Sequence, residues 1–312
     1  MKRPRLAITL GDPRGIGPEV VADALRDDEI AASADFVIVG PEVLIADERV
    51  VPVGRWSPRD GAAAAGRVAG EAIRAAVGMA MEKSVDAIVT APIDKAAFHA
   101  GGWNYPGHTE MLRELSGSSA VGMMMVSERA GTERDTLRVV LATTHLPLRS
   151  VPDALTSALL VEQTRLTDHV LREWWDTPRP RIALCAFNPH ASDGGLFGDE
   201  EERIYGPALE ALSAAGVHAL GPIPADTVFG RALRGDFHAV IAPYHDVGMA
   251  AFKTVAFGSG VNVTMGLPFP RTSPDHGTAL DIAGRGVANA ESMKEAIRLA
   301  VRLASRSLKD AT

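Results

Sequence analysis

Cys185 is the only cysteine of the chain, so no intramolecular disulfide can hold the fold, and a reducing compartment is expected. Long apolar runs are missing too: no window approaches the roughly 20 residues of a membrane span. The basic start in "MKRPRLAITLGDP" leads into an apolar run too short for a signal peptide, which reads as a first strand. Positive charge is in deficit. The net charge of −7 argues against nucleic acid as a partner, although a local cationic pocket would still admit a small acidic substrate. There is no Pro/Ser-rich linker, no solenoid-length repeat, and no low-complexity tract beyond "GAAAAG" at 61–66, which leads into a helix. These absences predict a soluble cytoplasmic protein with no membrane contact. At 312 residues it is expected to form one unit, 1–312, of two lobes built from interleaved parts of the chain.

What is present is an apolar fraction of 46% against 23% charged residues, the balance of a well-buried globular protein. Short apolar runs fall at Leu6–Leu10, Phe36–Val39, Ala87–Thr90, Gly122–Val126, Leu137–Ala142, Arg181–Ala186, Ala239–Ala242 and Val261–Met265. Amphipathic stretches such as "AGRVAGEAIRAAVGMAMEK", "ALTSALLVEQTRLTDHVLREWW" and "EERIYGPALEALSAAG" lie between them. Such alternation predicts a two-lobed α/β/α protein with an open, mostly parallel sheet and helices on both faces.

Polar, proline-rich and glycine-rich segments follow five of these strands: "GDPRGIGPE", "APIDKAAFH", "TTHLPLR", "FNPHASDGG" and "PYHDVG". Open parallel sheets bind ligands at the carboxyl ends of their strands, so a site is expected there. Three of the loops carry a histidine: His145, His190 and His245. Each alone is explained by hydrogen bonding within its loop. Three in equivalent positions point to a metal with one coordination position open for substrate. His169, His218 and His238 read as structural or surface residues.

"GDPRGIGPEVV" is a glycine-rich loop opening a helix, with Pro18 at the first helical position. It is neither G-x-G-x-x-G nor a P-loop, which excludes a Rossmann or nucleotide-triphosphatase reading. Gly15 and Gly17 suit a tight turn and suit equally a close backbone approach to a cofactor. In "YPGHTEML", Thr109 reads as a helix N-cap beside His108, at a helix end that attracts anions. Lys253, Asn262 and Arg271 form a second polar series suited to a phosphorylated or carboxylated ligand. In "DHGTALDIAGRGVANAESM" the glycines let the backbone turn closely, and Asp281 can accept hydrogen bonds from a ribose diol while repelling a 2′-phosphate.

Taken in order, "GDPRGIGPE", "YPGHTEML", "TTHLPLR", "NPHASDGG", "PADT", "YHDVG" and "GLPFPRTSPDHGTALDIAGRG" resemble the 4-hydroxythreonine-4-phosphate dehydrogenases of pyridoxal phosphate biosynthesis. The resemblance runs from residue 6 past residue 290. "GIGPE" and "HGTALDIAGRGVAN" also resemble cofactor-binding segments of isocitrate and isopropylmalate dehydrogenases, which share that family's non-Rossmann fold. The resemblance implies NAD-dependent, decarboxylating oxidation of 4-phosphooxy-L-threonine at its C3 hydroxyl, in a cleft between the lobes. His145, His190 and His245 would bind a divalent metal shared across a homodimer interface. His108, Thr109, Lys253, Asn262 and Arg271 would hold the phosphorylated substrate. His276, Gly277, Thr278, Ala279, Asp281, Ile282 and Asn289 would hold the adenosine half of NAD, with Gly15 and Gly17 beside it. Asp246, Asp226 and Lys253 are the candidates for orienting an imidazole or moving a proton. Three imidazoles suit zinc, cobalt or nickel better than magnesium, a preference that chelating substrate oxygens can shift.

The chain departs from the family pattern at Val247, where glutamine is usual, at Arg14, where alanine is usual, and at Ser192-Asp193 in place of glycine-glutamate. These departures leave phosphorylated four-carbon sugar acids, 4-phosphothreonate or 4-phosphoerythronate, as alternative substrates. A phosphate acyltransferase is the remote alternative.

Overall fold

The computed structural model describes residues 3–42, 49–128 and 135–307. They form two compact units, one made of Met1–Ser119 with Gly258–Thr312 and the other of Ala120–Phe257. The described strands are β1 (Arg5–Thr9), β2 (Asp35–Gly40), β3 (Val50–Pro52), β4 (Ala87–Thr90), β5 (Gly122–Ser127), β6 (Leu137–Leu141), β7 (Ile182–Cys185), β8 (Ala219–Ile223), β9 (Ala239–Ala242), β10 (Val261–Met265) and β11 (Arg271–Pro274). No helix among the described residues is long and apolar enough to cross a membrane.

In the first unit the strand order is β3-β2-β1-β4-β11-β10. Every neighbouring pair is parallel except β10 with β11. "LAIT", "FVIVG" and "AIVT" are buried along their lengths, as strands covered on both faces must be. The helix Gly61–Met81 packs on β1, β2 and β4, and the helix Glu291–Ser307 on β4, β10 and β11. "GAAAAG" forms the first turns of the former, where alanine gives the best helix propensity. A Cβ at Gly66 of that helix would strike the backbone at Ala97, so this glycine is what lets the segment carrying Lys95 lie against it.

The second unit orders its strands β5-β6-β9-β7-β8, antiparallel only between β5 and β6. Leu137, Val139, Leu141, Ala183, Val240, Ala242, Val228 and Phe252 form its core. Thr156 caps the helix Ser157–Glu173 by accepting from the Leu159 amide at 3.1 Å. The expected helix over 201–216 is divided: Glu201–Tyr205 winds as a π turn before the α-helix Gly206–Ala214 begins.

Three strands lie outside the apolar runs of the sequence. β3 is short and only partly buried, β8 is half-exposed and contains Gly-Pro, and β11 is the polar tetrapeptide "RTSP". Pro18 sits at the second helical position, because the first helix opens at Gly17.

Candidate active site

A polar row runs across the sheet of the first unit. Thr9 and Thr90 pair in register on β1 and β4, and Thr264 pairs with Arg271 on β10 and β11. Asn262, two residues before Thr264, shares its face of the strand. Arg271 is buried; its Nη1 donates to Thr264 Oγ1 at 2.9 Å and its Nη2 to Thr90 Oγ1 at 2.5 Å. Among the described residues its Nε has no hydrogen-bond partner, and none of the described ion pairs involves it. Burial pushes its pKa down to about 9, so it keeps its charge at neutral pH. A buried guanidinium held by neutral hydroxyls is costly on its own, and an anionic ligand offsets that cost.

The helix His108–Ser116 begins beside this cation. Its N-cap is Gly107, in extended conformation (φ 179°, ψ −162°), and no side chain caps it. This corrects the expectation for Thr109, which lies within the first turn. Among the described hydrogen bonds none outside the helix takes the amides of that turn, which lie at the positive end of the helix dipole. His108 Nε2 is buried without a partner among the described residues. Burial first, then the charges of Arg271 and Lys95, hold the His108 pKa well below the ordinary imidazole value, so the ring is neutral at pH 7. Lys95 is close by: a Cβ placed on Gly107 would lie 3.8 Å from its Cε. The Asn262 Oδ1 is likewise buried and unpartnered.

Lys253 belongs to the second unit, where its Nζ sits 5.9 Å from the centre of the Phe257 ring. The three metal candidates are also in that unit. His145 follows β6 and His245 opens the helix His245–Ala256 after β9. Their ring centroids are 5.6 Å apart with planes at 44°. Asp246 Oδ1 lies 2.8 Å from His245 Nδ1. A carboxylate there can accept an Nδ1 proton, which would leave Nε2 available to a ligand. His190 is on a separate turn, where His190, Ala191, Ser192 and Asp193 all have positive φ (55°, 55°, 62° and 46°). The buried Glu201 carboxylate holds the start of this turn, accepting from Phe187 N at 3.0 Å, Asn188 N at 2.7 Å and Asn188 Nδ2 at 2.9 Å. Among the described residues no group of three or more His, Cys, Asp or Glu is placed to hold a metal. The His145–His245 pair suits half of a coordination sphere. Asp226 is exposed in the first turn of the helix Ala225–Leu233, and the Asp246 side chain is 86% exposed.

The candidate cofactor segment is a loop between β11 and the helix Glu291–Ser307, with no helix of its own. The Thr278 carbonyl accepts from Ile16 N at 2.9 Å, which brings the loop onto the glycine-rich turn after β1. A Cβ at Gly15 would come within 2.7 Å of that carbonyl, so close approach here requires glycine. Gly17 likewise packs against Leu10 and Ala91. Ala279 is left-handed at φ 43°, and Ile282 N donates to its carbonyl at 3.1 Å. Gly277 and Asp281 are exposed, and His276 Nδ1 lies 3.0 Å from the Gly277 carbonyl. Asn289 Oδ1 accepts from Glu291 N at 2.8 Å at the start of the following helix.

A family model described as "Pyridoxal phosphate biosynthetic protein PdxA" matches residues 21–300. The chain belongs to this family. A 4-hydroxythreonine-4-phosphate dehydrogenase of Geobacter metallireducens is 40% identical, over 97% of this chain and 96% of that protein. A D-threonate 4-phosphate dehydrogenase of Salmonella typhimurium is also 40% identical, over 97% and 100%. The crystal structure of a 4-hydroxythreonine-4-phosphate dehydrogenase from Klebsiella pneumoniae superposes with a TM-score of 0.86 at 39% identity, covering 97% of this chain and 98% of that one. The protein is accordingly an NAD-dependent oxidoreductase.

Arg14 and Val247, two of the departures from the family pattern, have local explanations, and nothing in the structure explains Ser192 or Asp193. Arg14 forms a two-bonded pair with Asp12 (3.0 and 2.7 Å) and reaches Asp94 at 3.4 Å, which ties the glycine-rich turn to the N-cap of the helix Lys95–Ala100. Val247 packs against the core of the second unit. Ser192 occupies a left-handed position that glycine would fill without strain. Sequence reasoning missed Lys95, Thr90 and Thr264. Lys95 was visible in "APIDKAAFH", but the threonines gain their meaning only through strand register with Arg271.

Proposed function

We propose that the protein oxidises 4-phosphooxy-L-threonine at its C3 hydroxyl with NAD and a divalent metal, and then decarboxylates the product to 3-amino-2-oxopropyl phosphate. The observation that carries this reading is Arg271, a buried cation with an unpaired Nε beside the neutral His108 and the open helix end at His108–Ser116. A phosphate monoester supplies the charge this pocket lacks and enough acceptor oxygens for Arg271, Lys95 and the first-turn amides. Asn262, Thr109 and Lys253 complete the proposed binding set. The fold proposed for this chemistry is isocitrate/isopropylmalate dehydrogenase-like.

His145 and His245 would hold the metal, with His190 completing the set and a second subunit sharing the site. Zinc and cobalt suit these imidazoles, with magnesium the alternative if substrate oxygens supply most of the ligands. When bound, the metal supplies Lewis-acid charge both for loss of the hydroxyl proton and for loss of CO₂. Asp246 fixes the His245 ring. Asp226 and Lys253 are the groups proposed to move protons: one leaves the C3 hydroxyl as hydride passes to the nicotinamide, and one returns to carbon after CO₂ departs. The segment from His276 to Asn289 binds the adenosine half of the dinucleotide, with Asp281 selecting NAD. Exposed apolar side chains near the histidines in sequence, Leu146, Leu148, Leu196 and Phe197, support a homodimer that covers them. A cytoplasmic setting agrees with the single buried thiol of Cys185.

The Salmonella relative supports a second reading, because it matches this chain as well as the Geobacter protein does. In that reading the same chemistry acts on a phosphorylated sugar acid. Purified protein, NAD and a metal series would be assayed with both substrates, following NADH and CO₂ together. We expect the two products in equal amounts from 4-phosphooxy-L-threonine. A kcat/KM at least about tenfold higher for D-threonate 4-phosphate, worth about 1.4 kcal/mol, would replace the first reading with the second.

A further inference from the structure

The loop that would hold the dinucleotide is poorly anchored by its own contacts. Between His276 and Ala288 it has no strand or helix, and Asp281 and Gly284–Val287 are exposed. Ile282 N to Ala279 O and Arg285 N to Ile282 O shape turns inside it and fix nothing to the rest of the protein. Among the described hydrogen bonds, those leaving this stretch are Ile16 N to Thr278 O at 2.9 Å, Gly284 N to Glu19 Oε2 at 3.0 Å, and Ala288 N to Glu19 Oε1 at 3.3 Å. Two of the three end on one carboxylate, each of its oxygens accepting one amide across more than 260 residues of sequence.

Glu19 also lines a cleft of about 680 Å³ in the first unit, together with Pro13, Arg14, Gly15, Trp56 and Gly284. Arg14 brings little net charge there, because Asp12 lies 2.7 Å and Asp94 3.4 Å from its guanidinium. Besides the Glu19 carboxylate, which would repel a phosphate, the walls therefore offer prolines, an indole and peptide edges: surroundings for a flat, uncharged heterocycle. We propose that Glu19 is a positioning residue for the dinucleotide. Its carboxylate clamps the loop at Gly284 and Ala288, and the clamped loop forms one wall of the cleft that takes the adenine end. This rests on the reading of His276–Asn289 as the cofactor segment. A carboxylate in the first turn of the helix Gly17–Ala24 would favour that helix in any case. A purely local role of that kind predicts no effect on the loop amides or on the dinucleotide.

The test compares Glu19→Ala and Glu19→Gln with the natural protein by amide hydrogen exchange with and without NAD, and by steady-state kinetics. Glu19→Ala should speed exchange at Gly284 and Ala288. It should raise KM for NAD by about tenfold or more, the worth of a hydrogen bond to a charged acceptor. The KM for the phosphorylated substrate should stay within about twofold, and kcat at saturating NAD should fall by less than about threefold. Glu19→Gln keeps one acceptor oxygen and should fall between, and it serves as the folded variant if Glu19→Ala is unstable. An NAD KM unchanged in either folded variant, or equal rises in both KM values, would overturn the proposal while leaving the cofactor reading intact. If NAD fails to slow exchange anywhere in 276–289 of the natural protein, the cofactor reading falls and the proposal with it.

Discussion

Arg271 keeps its charge although its described partners are two threonine hydroxyls, so its burial should weaken the ligand-free protein if, as proposed, its place is to receive an anion. Arg271→Met should therefore separate binding from stability. The KM for the phosphorylated substrate is expected to rise about 10- to 100-fold, as for loss of charged hydrogen bonds. The melting temperature should stay level or increase, because an apolar chain replaces a buried, unbalanced cation. A fall in melting temperature with unchanged KM would mark Arg271 as scaffold. His108 makes a pH prediction. Its folded pKa is depressed by burial and by two neighbouring cations, so below about pH 6.5 the unfolded chain takes up a proton that the folded ring refuses. Stability should then decline as pH drops below that value and level off once the folded pKa is passed. Urea titrations across this range should show His108→Gln with a flatter profile than the natural protein.

At the scale of the element, the turn Pro189–Asp193 is the most strained backbone described, with four consecutive non-glycine residues at positive φ. Each such residue costs about 1 kcal/mol relative to glycine, and Ser192 stands where the family usually carries glycine. Ser192→Gly is expected to raise unfolding free energy by about 1 kcal/mol, read from the denaturant midpoint at unchanged slope. This strain was invisible in the letters "NPHASDGG", which announced a loop and a histidine but no handedness. The strands divide along the same line. β1, β2, β4 and β9 were legible because burial on both faces wrote them as nearly unbroken apolar runs, and β10 because valines alternate with its polar residues. β11 was not, because its burial is polar: Arg271 bonds to two threonines, and Thr272 Oγ1 donates to the Ala296 carbonyl at 2.8 Å. Hydropathy cannot see a strand whose side chains are satisfied by hydrogen bonds. For the same reason the candidate residues were readable as residue types, while the partners that give Arg271 its orientation waited on register.

For the whole molecule, the proposed metal centre asks for more than one chain provides in the described residues, where His145 and His245 form a pair and no larger ligand group is present. Sedimentation equilibrium is expected to give twice the 32.9 kDa chain mass. Treatment with a chelator should abolish NADH formation, and zinc or cobalt should restore it. NADH formation that survives complete metal removal would refute the role given to the histidines, and a monomer with full activity would refute the shared site.

The first unit is assembled from the two ends of the chain, with Ala120–Phe257 spliced between them. During synthesis on the ribosome, β4 must therefore wait for its neighbour β11 and for the helix Glu291–Ser307, the last parts to be made. The nascent protein thus spends the translation time of that whole insert with an unsatisfied sheet edge, and Arg271 arrives only near the end. A chain halted before residue 258 should be captured by chaperones that recognise exposed strands, and the proposed phosphate pocket should come into being only at the final stage of biogenesis.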